Sequence, residues 1–317
     1  MTFRIAVIHD TPHMVWSVRQ LFRRIIEKGH TPYYLRVTSV PYSLEGGLAI
    51  AEDEQVKLDG AIVKGLGDIN TAEEAVGKLG LIKSLELSGT VVINPFESLL
   101  LSRDKITQLL YLSEGGLPTP ETIMTWSVST ALRYLSKWGK AIIKPVIGSL
   151  GRGVMLIDDE DRAFYDLSTV LRSGQPIYIQ RYIEKPGRDI RVFVVGGKIL
   201  GGMYRVSMGW KTNIARGAKP VKAELNGELE ELALRATRIL GLEFAGVDIA
   251  EDVNNGSYLV LEVNSAPLWR GFYHATRTDP SEYIVERLLE LIKEKVAGMR
   301  TSKPGDPARG DDLWLSH

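Results

Sequence analysis

The first 95 residues alternate short apolar segments with stretches of helical periodicity, and this alternation limits the available folds more than any other feature. The predicted strands cover residues 3–9, 31–37, 58–66 and 90–95, and the predicted helices cover 14–29 and 71–88. Strands that alternate with helices form a parallel sheet with crossover helices. We therefore predict an N-terminal α/β unit that ends near Pro95.

The pattern changes after Ser98, where hairpins replace the crossover arrangement. A single helix is predicted from Ser98 to a Gly-Gly stop at 115–116, and a helix at 129–139 follows. The predicted hairpins and later elements are the strand pair 141–146 and 153–158, the strand 176–183, the hairpin 189–206 about Gly196–Gly197, the helix 227–241, the hairpin 244–264 and the helix 281–296. This part of the chain is therefore predicted to be α+β with antiparallel sheets.

Composition excludes several classes of protein and site. The 317 residues include 39 basic and 39 acidic side chains, so the net charge of zero does not favour nucleic acid or an anionic membrane as a partner. Cysteine is absent, which excludes disulfides, thiolate zinc sites and cysteine nucleophiles. No apolar run approaches the ~20 residues of a membrane span. A cytoplasmic protein is expected, with a polar, flexible tail at 299–317.

Two carboxylates are predicted to face each other in the hairpin 244–264. "VNNGS" is a turn signal, and a hairpin centred on Asn255 places Asp248 opposite Glu262, with Asn264 two residues further on the same face. Val247, Ile249, Leu261 and Val263 are expected on the opposite, apolar face. Three oxygen donors at one point suit Mg²⁺. Two solvated carboxylates are the alternative, and a one-residue slip in the turn would separate the pair.

Several basic residues lie in unusual surroundings. Lys144 interrupts the apolar strand "AIIKPV", and a lysine there needs an anion or a path to water. Lys105, inside the predicted helix 98–116, is by itself compatible with a solvated charge. Arg191 and Arg205 are expected to face each other across the hairpin 189–206, where they would clamp an anion. The alternative is that both arginines are ordinary solvated charges on an outer strand and bind no anion.

The segment "GSLGRG" at 148–153 does not match the common phosphate-binding motifs. A P-loop needs a lysine and a following helix, and the dinucleotide fingerprint needs G-x-G-x-x-G within a βαβ unit. This loop has the order G-x-x-G-x-G between two strands of a hairpin. Two interpretations remain. The segment is either a hairpin tip whose main-chain N–H groups cover phosphates or a plain glycine-rich turn.

Taken together, these segments resemble the ATP-grasp superfamily and, within it, the RimK-type amino-acid ligases. The matching segments are "RDK" (103–105), "IIKPVIGSLGRGV" (142–154), "YIQRYIEKPGRDIRVFVVGGKILGGMYR" (178–205), "WKTNIARGA" (210–218), "AGVDI" (245–249) and "LEVNSAP" (261–267). Their common order strengthens the resemblance. It implies an ATP-grasp fold with a Rossmann-like N-terminal domain at 1–96, a central lid at 97–180 and a C-terminal antiparallel-sheet domain at 181–298.

The resemblance also implies roles for individual residues. The implied nucleotide-binding residues are Lys105, Lys144, Gly148, Ser149, Gly151, Gly153, Gln180, Arg181, Tyr182, Ile183, Asp189, Lys211, Thr212 and Asn213. Asp248, Glu262 and Asn264 would hold two Mg²⁺ or Mn²⁺ ions, and Arg191 and Arg205 would stabilise charge at the reacting centre. Gln180 to Ile183 would form the hinge beside adenine. This hinge departs from the family pattern, because Gln180-Arg181 stands where many relatives have Gln-Glu.

The chemistry that the resemblance implies is amide formation driven by ATP. A phosphorylated acceptor carboxylate is attacked by the amine of an amino acid, with ADP and phosphate as products. An α-L-glutamate ligase with a small-molecule or peptide acceptor is expected, similar to the pterin and coenzyme ligases and, like many relatives, a homo-oligomer (dimer or tetramer). A peptide ligase of other specificity (lysine-biosynthesis or D-alanine-D-alanine-like) and an inactive ATP-binding regulator are the alternatives.

Overall fold

A computed structural model describes residues 1–43, 47–51, 54–67, 71–146, 153–207, 209 and 217–301. Its strands are β1 (Arg4–His9), β2 (Thr31–Arg36), β3 (Tyr42–Ser43), β4 (Gly47–Ala51), β5 (Glu54–Gln55), β6 (Gly60–Val63), β7 (Val91–Ile93), β8 (Thr122–Thr125), β9 (Ala141–Lys144), β10 (Met155–Ile157), β11 (Ile177–Arg181), β12 (Arg188–Val195), β13 (Lys198–Val206), β14 (Lys219–Ala223), β15 (Phe244–Glu251) and β16 (Tyr258–Asn264). Its helices are α1 (Trp16–Glu27), α2 (Ala72–Leu87), α3 (Phe96–Arg103), α4 (Lys105–Glu114), α5 (Val128–Trp138), α6 (Glu160–Arg172), α7 (Gly227–Ile239), α8 (Arg270–Thr276) and α9 (Pro280–Thr301).

The N-terminal sheet is parallel, as the alternation predicts. Its strand order is β2-β1-β6-β7, and every pair in it is parallel. One face packs against α2 and α3, and the other packs against α1 and, from the far end of the chain, α9. The approach of α9 is close, because a Cβ atom at Gly60 would lie 2.7 Å from Cδ1 of Ile292. The last helix therefore completes the first core.

Two antiparallel sheets follow, and they carry the predicted motifs. The first has the order β10-β9-β11-β8 and is covered by α5 and α6. The second has the order β14-β13-β12-β15-β16 and packs one face against α4 and α7. The glycine-rich segment 147–152 joins β9 to β10 and lies outside the described residues. The α/β architecture with antiparallel sheets in the second part is thus confirmed, while the domain boundaries stay predictions.

The predicted helix from Ser98 to residue 116 is wrong, because two helices occupy this stretch. Asp104 separates α3 from α4 with an extended backbone (φ −94°, ψ 120°), and its carboxylate accepts hydrogen bonds from the main-chain N–H groups of Ile106 and Thr107. Aspartate at this position caps the start of a new helix. Lys105 is consequently the first residue of α4 instead of an interior one.

The acidic hairpin pairs as predicted near its open end, although its turn is shifted. The pairs nearest the turn, such as Ile249 with Val260, are centred half a residue before Asn255, and a bulge further along then restores the pairing of Asp248 with Glu262. The bulge moves Leu261 off the apolar face, where it was predicted. Leu261 packs with the small cluster that contains Ile183, and Val260 takes its place in the main core.

Within the described residues, no helix is both long enough and apolar enough to cross a membrane. The longest helix, α9, has 22 residues and carries charged side chains along its length. The tail at 302–317 lies outside the described residues, and α9 extends into the first part of the predicted tail, to Thr301.

Candidate active site

One face of the second antiparallel sheet carries a row of charged side chains. Across β12, β15 and β16, Arg191 lies directly opposite Asp248, which in turn lies opposite Glu262. On β12 and β13, Asp189 lies opposite Arg205. Because side chains alternate along strands, the two residues on β12 share this face, and the intervening apolar residues point to the core on the other side. The register therefore gathers five charges at one place.

The two arginines bind carboxylates of the protein itself. Arg191 holds Asp248 through a fork of 2.6 and 2.7 Å, and Arg205 holds Asp189 through a second fork of 2.6 and 2.7 Å. Arg205 also reaches Asp248 at 2.9 Å. The prediction that the arginines face each other is wrong, because the hairpin turns at Gly196–Gly197; with a bulge between Phe193 and Val194, this register pairs Arg191 with Met203 and Arg205 with Asp189. They converge nonetheless, and the shared anion is Asp248.

Burial makes these ion pairs strong. Asp248 is 1 % exposed, and although burial alone would raise its pKa, Arg191 and Arg205 lower that pKa to about 2. Burial works against the charge of Arg205 as well, yet Asp248 and Asp189 raise the pKa of its guanidinium above the ordinary value. Both partners therefore stay charged across the whole range in which proteins function.

Asp248, Glu262 and Asn264 partly fit the predicted metal site. All are hard oxygen donors, as Mg²⁺ and Mn²⁺ prefer, and Asn264 Nδ2 lies 3.4 Å from Oε1 of Glu262. Both oxygens of Asp248, however, are engaged by arginines. No group of three histidine, cysteine or acidic side chains in the described ranges has metal-ligand geometry. Glu262 and Asn264 therefore form the available donor pair, and Asp248 is the third candidate ligand.

Three lysines surround this face, and burial lowers the pKa of each. The pKa of Lys144 falls to about 8, and those of Lys105 and Lys185 are also lowered, in every case mainly by desolvation. Glu262 and Asp104 offset part of this effect at Lys105. Together with the two arginines, five cations lie around four carboxylates (Asp104, Asp189, Asp248 and Glu262) in a poorly hydrated space. Such a site favours a polyanionic ligand.

The predicted hinge residues lie beside this space. Gln180 is buried, and its side chain accepts a hydrogen bond from Nζ of Lys144 at 2.8 Å and donates one to the hydroxyl of Thr122 at 2.8 Å. The main-chain N–H groups of Arg181 and Tyr182 are bound to the carbonyls of Glu121 and Lys140. Gln180 thus fixes the ammonium group of Lys144, and Ile183 packs beneath the hinge with Leu259.

Several predicted nucleotide-binding residues cannot be placed at the site. Gly148, Ser149 and Gly151 of the glycine loop, and Lys211, Thr212 and Asn213, lie outside the described residues. Gly153 is described: it lies against Pro145 in a left-handed conformation (φ 70°) that residues with side chains rarely adopt. The start of α4 also meets the segment between β9 and this loop, through a hydrogen bond from the Lys105 main-chain N–H to the Val146 carbonyl at 3.4 Å.

Replacing Asp104 with alanine tests whether the helix break places Lys105. The variant loses the cap of α4, which should lower the free energy of unfolding by about 1 kcal/mol and weaken nucleotide binding, because the first turn carries Lys105. Asp159 caps α6 in the same way, through Arg162 N–H at 2.7 Å, so Asp159→Ala is the matched control. Urea unfolding and ATP titration measure the two effects. Equal losses of ATP affinity in both variants would contradict this role.

Residues that the sequence analysis did not select hold the end of β16 in place. Gln108 on α4 is buried and binds both main-chain groups of Val263, donating to its carbonyl at 2.8 Å and accepting from its N–H at 2.7 Å. Asn94 and Lys64, at the ends of β7 and β6, bind the segment that follows Asn264. For Lys64 a signal existed: "GAIVKG" sets a lysine at the end of an apolar strand, as "AIIKP" does for Lys144.

The comparisons with known proteins agree with this geometry. A model of the RimK-like ATP-grasp domain matches residues 102–288. The tetrahydromethanopterin:alpha-L-glutamate ligase of Methanosarcina acetivorans is 33% identical over 316 residues, covering 87% of this chain and 96% of that protein. The alpha-aminoadipate–LysW ligase LysX of Sulfurisphaera tokodaii is 33% identical over 299 residues, covering 92% of this chain and 99% of that protein.

Solved structures share the fold. The ATP-grasp ligase PsnB in complex with its minimal precursor superimposes with a TM-score of 0.71 at 21% identity, covering 92% of this chain and 99% of that one. A RimK domain ATP-grasp protein from Sphaerobacter thermophilus gives a TM-score of 0.69 at 19% identity, covering 90% and 99%. The predicted resemblance is confirmed over the part of the chain that carries the charged sheet face and the hinge. The chain belongs to the RimK-like ATP-grasp family.

Proposed function

We propose that the protein is an ATP-dependent carboxylate–amine ligase that joins L-glutamate, or a similar amino acid, to an acceptor carboxylate. One observation carries the proposal: five buried or half-buried cations converge on one sheet face, where burial disfavours the charged form of the three lysines among them. A triphosphate bound there would stabilise these charges. The relatives named above are glutamate and LysW ligases, which supports this class of reaction.

The reaction would proceed in two balanced steps. An oxygen of the acceptor carboxylate forms a bond to the γ-phosphorus of ATP as the bond to ADP breaks, which gives an acylphosphate. The amine of the donor amino acid then bonds to the acyl carbon, the carbon–oxygen bond to phosphate breaks, and the nitrogen loses a proton. Neither step requires a protein nucleophile, and positioning and charge neutralisation are what the chain contributes.

The residues of the site would divide this work. Lys144, fixed by Gln180, and Lys105, at the start of α4, would bind phosphate oxygens. Arg191 and Arg205 would neutralise charge on the transferring phosphoryl group, with Asp189 and Asp248 fixing their orientation. Mg²⁺ or Mn²⁺, two ions in our proposal, would be held by Glu262 and Asn264 and by Asp248, and would polarise phosphate oxygens when bound.

Glu262→Gln tests the proposal with a single atom changed. We expect the variant to lose at least about 100-fold in turnover, because the amide is a far weaker ligand for a hard cation than the carboxylate. The assay is ADP release with magnesium, L-glutamate and candidate acceptors, followed by the mass of the product. Glu251, at the far end of β15, is the control position, and Glu251→Gln should keep wild-type turnover.

The outcomes separate the candidate functions. A mass increase of one glutamyl residue on an acceptor supports the ligase and names its donor. Turnover with another amino acid in place of glutamate supports a ligase of different specificity. ATP binding without turnover on any acceptor, unchanged in Glu262→Gln, would contradict the ligase proposal and favour an ATP-binding regulator.

A further inference from the structure

Three consecutive carbonyl groups directly after Asn264 are bound by side chains of the N-terminal sheet. Nδ2 of Asn94 donates to the carbonyl of Ser265 at 2.7 Å. Nζ of Lys64 donates to the carbonyls of Ala266 at 3.2 Å and Pro267 at 2.8 Å. The donors lie at the carboxyl ends of neighbouring parallel strands, β7 and β6. The N-terminal sheet therefore grips the segment that continues from the proposed metal ligands.

Asn94 and Lys64 differ in the other hydrogen bonds that their side chains form. Asn94 also binds the start of β15, donating to the Phe244 carbonyl at 2.8 Å and accepting from the N–H groups of Glu243 and Phe244 at 2.7 and 3.0 Å. Within the described residues, the side chain of Lys64 hydrogen-bonds only to the segment, and its Nζ lies 4.8 Å from the centre of the Trp269 ring. Lys64 is thus the more specific probe of the segment.

A lysine at this position is energetically unfavourable, which requires an explanation. Lys64 is 3 % exposed, and among the described side chains no carboxylate forms an ion pair with it. Burial, with a smaller contribution from Arg191, lowers the pKa of its amine to about 7. A methionine would fill similar space without this desolvation cost. Methionine, however, has no hydrogen-bond donor. The amine of lysine, charged or neutral, has enough N–H groups to bind both carbonyls.

The end of β16 is also held from its other side, by α4. Gln108 binds the N–H and the carbonyl of Val263, between Glu262 and Asn264. Segment 262–267 is therefore held by α4 on one side and by the N-terminal sheet on the other. Loss of either attachment would let the carboxylate and amide of the donor pair move relative to Asp248, and a displacement of about 1 Å can lower a rate about 100-fold.

We propose that Lys64 is a positioning residue of the reaction centre: by binding the carbonyls of Ala266 and Pro267, it keeps Glu262 and Asn264 in place. Through Lys64, the N-terminal sheet contributes to the geometry of the site. The proposal rests on the proposed function, because it takes Glu262 and Asn264 as members of the reaction centre. Lys64 touches none of the reacting groups and acts through the segment.

The test compares Lys64→Met with Lys78→Met. Lys78 is also buried in the N-terminal unit, at 8 % exposure, but it pairs with Asp10 at 3.0 Å. Hydrogen–deuterium exchange of peptides covering 262–268 should become at least about 10-fold faster in Lys64→Met and stay at the wild-type rate in Lys78→Met. In the same proteins, kcat should fall about 10- to 100-fold only in Lys64→Met, with KM for ATP within about threefold of wild type.

The exchange of β1 peptides reports whether each variant is folded. If Lys64→Met fails to fold, Lys64→Gln replaces it, with the same expected result because the shorter side chain cannot reach both carbonyls. Wild-type exchange of 262–268 in the folded variant overturns the proposal, and so does a kcat loss equal to that of Lys78→Met. If the segment loosens while even the wild-type protein shows no ligase turnover, the positioning role holds and the proposed function fails.

Discussion

Arg205→Met is expected to lower the free energy of unfolding by about 3 to 5 kcal/mol. The guanidinium of Arg205 holds Asp189 by two hydrogen bonds of 2.6 and 2.7 Å and Asp248 by one of 2.9 Å, with both carboxylates buried. Methionine fills much of the space but leaves Asp189 without this fork. Removing one partner of a buried ion pair costs more than the pair itself contributes, because the remaining charge is desolvated. Urea-induced unfolding at neutral pH measures the loss.

Two further variants isolate the cause. Arg287 pairs with Glu243 at 2.8 Å, but both side chains are about a quarter exposed, so Arg287→Met should cost at most about 1 kcal/mol. In the double variant Arg205→Met/Asp189→Asn, the charge that lost its fork is neutralised, and part of the stability should return while turnover stays low. An Arg205→Met protein within about 1 kcal/mol of wild type would show that the ion pairs do not stabilise the sheet.

Lys144→Met is expected to weaken ATP binding by roughly 10- to 100-fold, the range of a charge-assisted hydrogen bond. Lys144 is oriented by Gln180 at 2.8 Å and shares its surroundings with Lys105 and Lys185, so an anion there gains more than on an open surface. Calorimetric titration with ATP and magnesium measures the change. Lys140, exposed and just before the same strand, is the control, and Lys140→Met should bind ATP as wild type does.

The same variant changes the pH dependence of stability in a defined direction. Desolvation lowers the pKa of Lys144 from 10.5 to about 8. Between these values the unfolded chain keeps a proton that the folded protein has lost, so the stability of the ligand-free protein rises with pH in this window. Over the full window the rise is about 3 kcal/mol for this one group. It should be missing from Lys144→Met; a rise between pH 8 and 10.5 equal to that of wild type would contradict the shift.

Much of the charged face could be predicted because strand pairing obeys simple counting. The turn signal at 253–257 and the alternation of side chains are sufficient to place Asp248 opposite Glu262. The pairing of Asp248 with Glu262 is correct only because two deviations cancel: the turn is shifted by half a residue, and a bulge at Leu261 corrects the register. Bulges depend on tertiary packing, and no local signal at Leu261 indicates this one.

The identity of the clamped anion could not be predicted in the same way. The sequence predicts an external anion for Arg191 and Arg205, because a hairpin centred on Lys198 would set the two arginines opposite each other with no carboxylate between them. The turn lies instead at Gly196–Gly197, and Arg205 faces Asp189. Asp248 reaches them from β15, which pairs with β12 from a distant part of the chain. Non-local pairing of this kind is set by the sheet order, which a single sequence does not contain. Lys64, in contrast, could have been predicted from the sequence, because it ends an apolar strand in the same way as Lys144 does.

The position of α9 has a consequence for synthesis of the chain. Ile5, Val7 and Ile62 of the first sheet lie in one cluster with Ile284 and Leu288 of the last helix. During translation the part of this apolar face that α9 covers stays exposed until roughly 200 further residues have been made, which takes about 10 to 40 s at ordinary elongation rates. The core of this sheet is therefore completed long after its strands have left the ribosome, and a chain cut short before α9 would expose a sheet face prone to aggregation.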